Sequence, residues 1–494
     1  MNTVKRLVKN TGAVLLAQVA EPACSFILIL FIARSLGVSG LGKFSIVISL
    51  YFIFQTISSL GFSHLITREV ARDRSRAGKY LINASLIGFF FSVLMAGAMC
   101  LTGYLLNYSA DTSLSIYVLS FSLIPGALAL VCQSICTAFE KLEYVSIPLI
   151  TGNLFKLFLG LLVLFKGYGL VTLMAVILGS HFLTMFMSSY FVLRCIGKPL
   201  FRIDFGFCKW IVETTPTFAL IFIFATIYWN VDILMLSKIK GPTEVGFYSA
   251  AYKLMNVWKI IPVGYLMALQ PIISRLFESS LGKFRIACTS SIRYLFIVML
   301  PIAVGSTLLS KDIVLLFFRE SFLASANALS ILIWALVPYA INMTLSHALI
   351  ASNNQKTNLR SLLISMMSNV ALNLLLIPKF SFLGAAMATL ASICIFLGLQ
   401  YSFVSKNLFN LNFLQIAGKP VVSAALMAII ILLFRQINLF LLIFISALAY
   451  VVFLLPLKTF SQTDIRLLRR LWGKEEGLAI LQSQESSVHN PSKQ

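Results

Sequence analysis

Apolar residues run along this chain in long blocks, separated by short polar or charged stretches. Fourteen blocks are candidate membrane-spanning helices: residues 12–33, 43–61, 81–106, 114–138, 145–165, 168–193, 211–237, 245–274, 289–309, 323–351, 361–377, 383–404, 418–434 and 438–456. A spanning helix takes about 20 residues, so 361–377 and 418–434 sit at the lower limit. The pattern changes after Leu457. Asp464 to Trp472 reads as an amphipathic stretch, and Gln482 to Gln494 is polar throughout, which predicts disorder. The first block has no small-residue cleavage site and reads as a retained helix rather than a signal peptide.

Composition agrees. Of 494 residues, 59% are hydrophobic and 11% charged, against roughly 45–50% and about 25% in soluble domains. Too little polar surface remains to coat a soluble globule, so soluble, disordered, fibrous and disulfide-framework classes are excluded. The expected class is an all-α integral membrane protein. The eight cysteines are scattered without a paired C-x-x-C pattern and read as small apolar residues, not metal ligands.

The net charge of +22 changes the picture through its distribution. With the N-terminus placed in the cytoplasm, and Lys43 and Lys419 at the very starts of their spans counted with the adjoining loops, 26 Lys and Arg fall on the cytoplasmic face, 9 on the opposite face and 4 deeper within spans. Cytoplasmic segments carry the excess of cations, so both termini are expected inside and an even number of spans is favoured. Membrane lipids, not nucleic acid, are the partners this charge implies.

An internal repeat is visible. Gly37 to Ser45 and Gly241 to Ser249 both read G-x4-G-x-aromatic-Ser, 204 residues apart, preceded by Arg34 and Lys238. Gly169 opening helix 6 and Gly384 opening helix 12 echo each other. Six helices separate the copies, so they share one orientation. The expected organisation is an N-terminal six-helix lobe (1–194), a cytoplasmic linker (195–210), a second six-helix lobe (211–404), appended helices 13 and 14 (405–456) and a cytoplasmic tail (457–494).

Charges inside spans cost about 2.5–3.5 kcal/mol each on insertion scales and face a cavity, find a partner or snorkel. Glu21 precedes Pro22 in helix 1, which frees a backbone carbonyl; the pair suits a proton or Na⁺ site, or a hydrogen-bonded neutral Glu. Asp232 in helix 7 follows Tyr228, Trp229 and Asn230 and lies close enough to the outer end to reach interfacial water; it reads as a cation site or gating ion pair. Lys253, Asn256 and Lys259 recur at i, i+3, i+6 on one face of helix 8 and suggest a wet, positive cavity, with snorkelling of Lys253 as the alternative. Asn153 and Lys156 in helix 5, and Asn369 and Asn373 in helix 11, line that cavity or bond between helices. His181 and His347 read as packed or hydrogen-bonded. Arg68 and Arg72, in a basic amphipathic stretch after helix 2, are candidates for headgroup contact or for topology alone. There is no P-loop, no H-E-x-x-H and no nucleophile elbow. No catalytic residue, cofactor or metal is implied, and uphill movement would draw on an ion gradient, on the membrane potential or on consumption of the product.

The N-terminal segment carries a family likeness. Ala33-Arg34-Ser-Leu-Gly37, Gly42-Lys-Phe44, Leu60-Gly61-Phe62 and Thr67-Arg68-Glu69-Val70-Ala71 resemble the polysaccharide-exporter branch of the multidrug/oligosaccharidyl-lipid/polysaccharide exporter superfamily, and within it the O-antigen (Wzx-type) flippases. The resemblance implies two six-helix bundles in a V around a central cavity that opens alternately to each side. It implies a substrate, undecaprenyl-pyrophosphate-linked oligosaccharide, moved from the cytoplasmic to the outer leaflet of the inner membrane. It also implies H⁺ or Na⁺ as coupling ions, and polysaccharide polymerase machinery as a downstream partner. A cation-coupled multidrug exporter and a lipid II flippase are the alternatives.

Overall fold

The computed structural model describes residues 3–59, 61–197 and 202–456. The tail from 457 onward, including the amphipathic stretch expected at 464–472, lies outside the described residues. The described chain is helical, with no strand among the described residues. That is what a lipid environment demands, because a helix satisfies its own backbone hydrogen bonds.

The first half comprises α1 (Thr3–Ser59), α2 (Phe62–Arg72), α3 (Ala77–Leu105), α4 (Ala110–Ser120), α5 (Leu123–Ala138), α6 (Glu143–Phe165) and α7 (Leu170–Ile196). A short helix, α8 (Phe205–Thr214), follows, its first turn capped by the Asp204 carboxylate accepting from the Phe207 N–H. The second half comprises α9 (Pro216–Lys240), α10 (Pro242–Trp258), α11 (Ile260–Ser279), α12 (Leu281–Leu308), α13 (Ser310–Phe317), α14 (Ser325–Leu332), α15 (Leu336–Ala351) and α16 (Gln355–Asn407). Two more helices, α17 (Phe413–Leu433) and α18 (Leu439–Leu454), close the described chain.

Among the described residues, eleven helical segments are long and apolar enough to cross a membrane. Two of them each contain two of the fourteen blocks: α1 turns at Gly37 and α16 at Ser381. The fourteenth block is the shorter apolar helix α18. All fourteen blocks therefore fall on helices.

Four blocks expected as single spans are divided instead. Block 211–237 begins in α8 and continues in α9, which opens on Pro216. Block 114–138 divides into α4 and α5, block 245–274 into α10 and α11, and block 323–351 into α14 and α15 with a 3₁₀ turn at Ile333–Ala335. The reason is the same in the last three. Pro125, Pro262 and Pro338 each occupy the third position of the following helix. Proline has no N–H to donate, which the first turn of a helix tolerates and an interior does not.

The repeat is realised in backbone geometry. Gly37 has φ 70°, ψ −169° and Gly241 has φ 89°, ψ 177°, a region open only to glycine. The two turns pack against each other reciprocally. A Cβ on Gly42 would overlap the carbonyl oxygen of Pro242, and a Cβ on Gly246 would overlap the carbonyl oxygen of Val38. The cation before each turn also crosses over: Arg34 donates to the Phe317 carbonyl at 3.3 Å, and Lys238 lies 4.5 Å from the Tyr108 ring. Tyr108 also meets the Ser237 hydroxyl at 2.7 Å.

Candidate functional site

Below the paired hairpins lies a cavity of about 340 Å³ among α1, α6, α7 and α10. Its charged lining is Glu21, Lys156 and Lys253. Two cations thus enter from opposite halves of the molecule to face one carboxylate. Glu21 and Pro22 are both exposed to this space. The proline stands one residue from the carboxylate in the first segment of α1, where its missing N–H interrupts the ladder. Lys156 donates to the Ser25 hydroxyl at 3.4 Å. Ser25 lies one helical turn beyond Glu21, so both point to the same side of α1.

Asn153 also lines the cavity, with its amide donating to the Leu149 carbonyl at 2.9 Å. His181 joins it from α7, 3.3 Å from the Tyr51 hydroxyl. Ser25, Tyr51 and Thr184 were not among the residues expected here. A polar residue at i+4 from Glu21 was the available signal for Ser25; nothing in the sequence singled out the other two.

Three expected cavity residues lie elsewhere. Lys259 is the residue at which α10 ends, and its ammonium sits among aromatic rings: 3.8 Å from Trp229, 5.0 Å from Tyr339 and 5.1 Å from Tyr252. The break before Pro262 turns it away from the Lys253 face and toward α9 and α15. Asn256, half-buried on the same turn, does not line the cavity either, and its side-chain oxygen has no hydrogen-bond partner. Asn369 is 1% exposed and inside the second half; its amide donates to Ser392 Oγ at 3.3 Å.

Asp232 also departs from expectation. It does not reach an aqueous interface: it is 3% exposed on the inward face of α9. Asn373 donates to one carboxylate oxygen at 2.6 Å, while Thr389 and Tyr248 donate to the other at 2.6 and 2.9 Å. Asn373 in turn donates to Asn369 Oδ1 at 3.1 Å, and its own side-chain oxygen is buried without a partner. The result is one carboxylate on α9 held by three donors from α10 and α16. No cluster of three or more His, Cys, Asp or Glu suited to a metal occurs among the described residues.

Arg68 and Arg72 occupy α2 and both pair with Glu69, at 2.9 and 3.4 Å. At this end of the molecule the halves also touch. Thr56 and Thr226 hydroxyls are 3.1 Å apart, and His64 stacks on Phe222 at 4.9 Å.

A separate apolar cleft of about 430 Å³ shares no lining residue with the polar cavity. It lies between α12 and the pair α17 and α18, walled by Pro301, Gly305, Met427 and Tyr450. Trp258 also lines it, one residue from the caged Lys259.

Comparison with known proteins agrees with this architecture. The chain is 21% identical over 486 residues to the probable low-salt glycan biosynthesis flippase Agl15 of Haloferax volcanii, covering 94% of this chain and 99% of that protein. It is 24% identical over 386 residues to a putative O-antigen transporter of Shigella flexneri, covering 72% and 88%. In fold it is similar to the lipid II flippase MurJ in its inward closed conformation, with a TM-score of 0.74 and 17% identity over 90% of this chain and 98% of that one. The MatE profile matches residues 218–375. The profile of the polysaccharide biosynthesis proteins matches residues 7–277, more than half of the sequence, and the chain belongs to that family.

Proposed function

We propose that this protein is a flippase that carries undecaprenyl-pyrophosphate-linked oligosaccharide repeat units from the cytoplasmic to the outer leaflet of the inner membrane, for surface polysaccharide assembly. The observation that carries this reading is the cavity in which Lys156 and Lys253, contributed by opposite halves, face a single carboxylate. A cation and a phosphate about 4 Å apart attract by roughly 4 kcal/mol at an effective dielectric of about 20. Two such cations offset much of what the diphosphate loses on leaving water. Asn153, His181 and Tyr51 supply hydrogen-bonding groups for sugar hydroxyls. The Haloferax and Shigella relatives, named as a flippase and a transporter, support the same class of substrate.

The lipid tail needs no aqueous path. The apolar cleft at Trp258 gives it a place beside the polar interior, so the head crosses while the tail stays in hydrocarbon. Because Lys156 and Lys253 lie on different halves, a diphosphate between them ties the halves together on one side. Rocking about the paired hairpins then exposes the cavity to the other side. The buried carboxylate Asp232 takes a proton or Na⁺ and biases which state is populated, with Glu21 as a second site for a proton. Arg68 and Arg72 contact lipid headgroups on the cytoplasmic face, where both termini also lie, and the polymerase machinery consumes the product outside.

The test is a gene deletion scored for surface polymer and for lipid-linked repeat units. Loss of polymer with single repeat units trapped on the cytoplasmic side, reversed by the wild-type gene, is expected. Normal polymer with raised sensitivity to cationic drugs would replace this reading with a cation-coupled exporter.

A further inference from the structure

The geometry points to a second lipid site, outside the transport cavity, that binds an anionic glycerophospholipid where the inter-lobe linker meets α3. Its head end is a basic pocket of about 860 Å³ lined by Arg74, Lys79, Arg202 and one acid, Asp204. Lys79 pairs with Asp204 at 2.8 Å. Arg74 lies 5.4 Å from the Phe139 ring. Among the described residues, neither Arg74 nor Arg202 pairs with a carboxylate. The described lining of the pocket therefore carries three cations against one carboxylate, and guanidinium is the side chain best matched to the forked oxygens of a phosphate.

The tail end is a separate apolar groove of about 560 Å³ between α3 and α8. Leu86 and Phe90 form one wall, and Phe205 and Val212 the other. Phe205 is 79% exposed and Phe90 66%. The two cavities share their supporting elements. Lys79 and Leu86 lie on α3 seven residues apart, about 10 Å along the helix, and Asp204 and Phe205 are neighbours in the chain. A span of about 10 Å takes a phospholipid from its phosphate, past the glycerol, into the upper part of its acyl chains.

Between the cavities stands Asn83, fully buried. Its amide donates to the carbonyls of Lys79 at 2.9 Å and Arg202 at 3.3 Å, and its oxygen accepts from the Asp204 N–H at 2.8 Å and the Cys208 thiol at 3.3 Å. This clasp holds linker and helix at a fixed spacing. Basic pocket and apolar groove are thereby in line, the order of polarity in a phospholipid lying along the helix. A soluble anion would use only the pocket, and a neutral lipid only the groove. A lipid occupying both ties α8 to the first half and leaves α9 free to move.

Native mass spectrometry of the full-length protein, offered equal amounts of phosphatidylglycerol and phosphatidylcholine, tests the site. Wild type is expected to retain one phosphatidylglycerol in preference. Arg74→Gln and Arg202→Gln each lower that retention about five-fold, without changing phosphatidylcholine. Phe90→Ser lowers retention of both lipids. Equal retention of the two lipids by wild type, or unchanged phosphatidylglycerol in the arginine variants, overturns the site. So does full displacement of the lipid by millimolar inorganic phosphate, which would leave a phosphate pocket without a tail groove. Arg74 is exposed, so Arg74→Gln alone carries the test if Arg202→Gln fails to fold.

Discussion

Gly42 and Gly246 each press against the backbone of the other's hairpin, Gly42 against Pro242 and Gly246 against Val38. The relationship is reciprocal because the two hairpins are copies of one motif set face to face. It closes one end of the interface between the halves by backbone contact, with no side chain to hold it apart.

A side chain at either glycine forces the hairpins apart. Gly246→Val is expected to destabilise this closed end by about 1–3 kcal/mol, the usual range for overpacking, a five- to 150-fold shift toward the open arrangement. Labelling of Val38→Cys by a membrane-impermeant maleimide, in a background without native cysteines, measures it. The labelling rate, set by the open fraction, should rise by at least that lower factor, and an unchanged rate would show that the contact is not maintained in the membrane.

The cavity cations make the second prediction. Lys156→Met and Lys253→Met should each reduce transport ten-fold or more while insertion and expression persist. Their double variant should lose little beyond the worse single one, because one diphosphate bridges both. Strictly multiplicative losses would mean that the two lysines act on separate steps.

Lys259 has a different role in this conformation. Its ammonium is held by three rings, and a desolvated cation–π contact is worth about 2 kcal/mol. Trp229→Ala should therefore lower thermal stability in detergent, whereas Trp229→Phe should recover most of it. Lys259→Ala should lower that stability by a similar amount, because the cation is lost instead of a ring; unchanged stability would show that the cage contributes nothing.

Asp232→Asn keeps the shape but replaces an acceptor with an amide. Tyr248, Thr389 and Asn373 all donate to the carboxylate, so at least one donor loses its partner, at about 1–3 kcal/mol. If Asp232 is the coupling site, transport in reconstituted vesicles should respond to an imposed Na⁺ or proton gradient in wild type and not in the variant. A gradient response that survives the substitution would move coupling to Glu21.

Particular residues show how far sequence reading reaches. Gly37 and Gly241 were recognisable as copies because a left-handed turn leaves glycine as a local requirement. Pro125, Pro262 and Pro338 were equally visible, and Pro262 with Gly264 was expected to let its helix bend, yet each block was read as a single span, since a proline inside an apolar block is compatible with either a kink or a new first turn. Lys156 and Lys253 stood out as charges in apolar surroundings. That they face one cavity across the two halves depends on how α6 and α10 are rotated, and a linear pattern does not record that angle. Asn369 and Lys259 show the converse: both are polar residues in spans, placed by packing on other faces.

By itself the sequence determined the membrane class, the fourteen apolar blocks, the duplicated hairpin and the charges that a bilayer makes expensive, all set by composition or by residues close together in the chain. Tertiary structure decided which of those charges share a cavity. It put Asp232 among its donors, Lys259 among its rings, and Glu21, Lys156 and Lys253 around one cavity. The reason is physical: insertion cost acts on each residue where it stands, whereas a site is made by side chains from distant helices, whose meeting depends on packing that no local pattern carries.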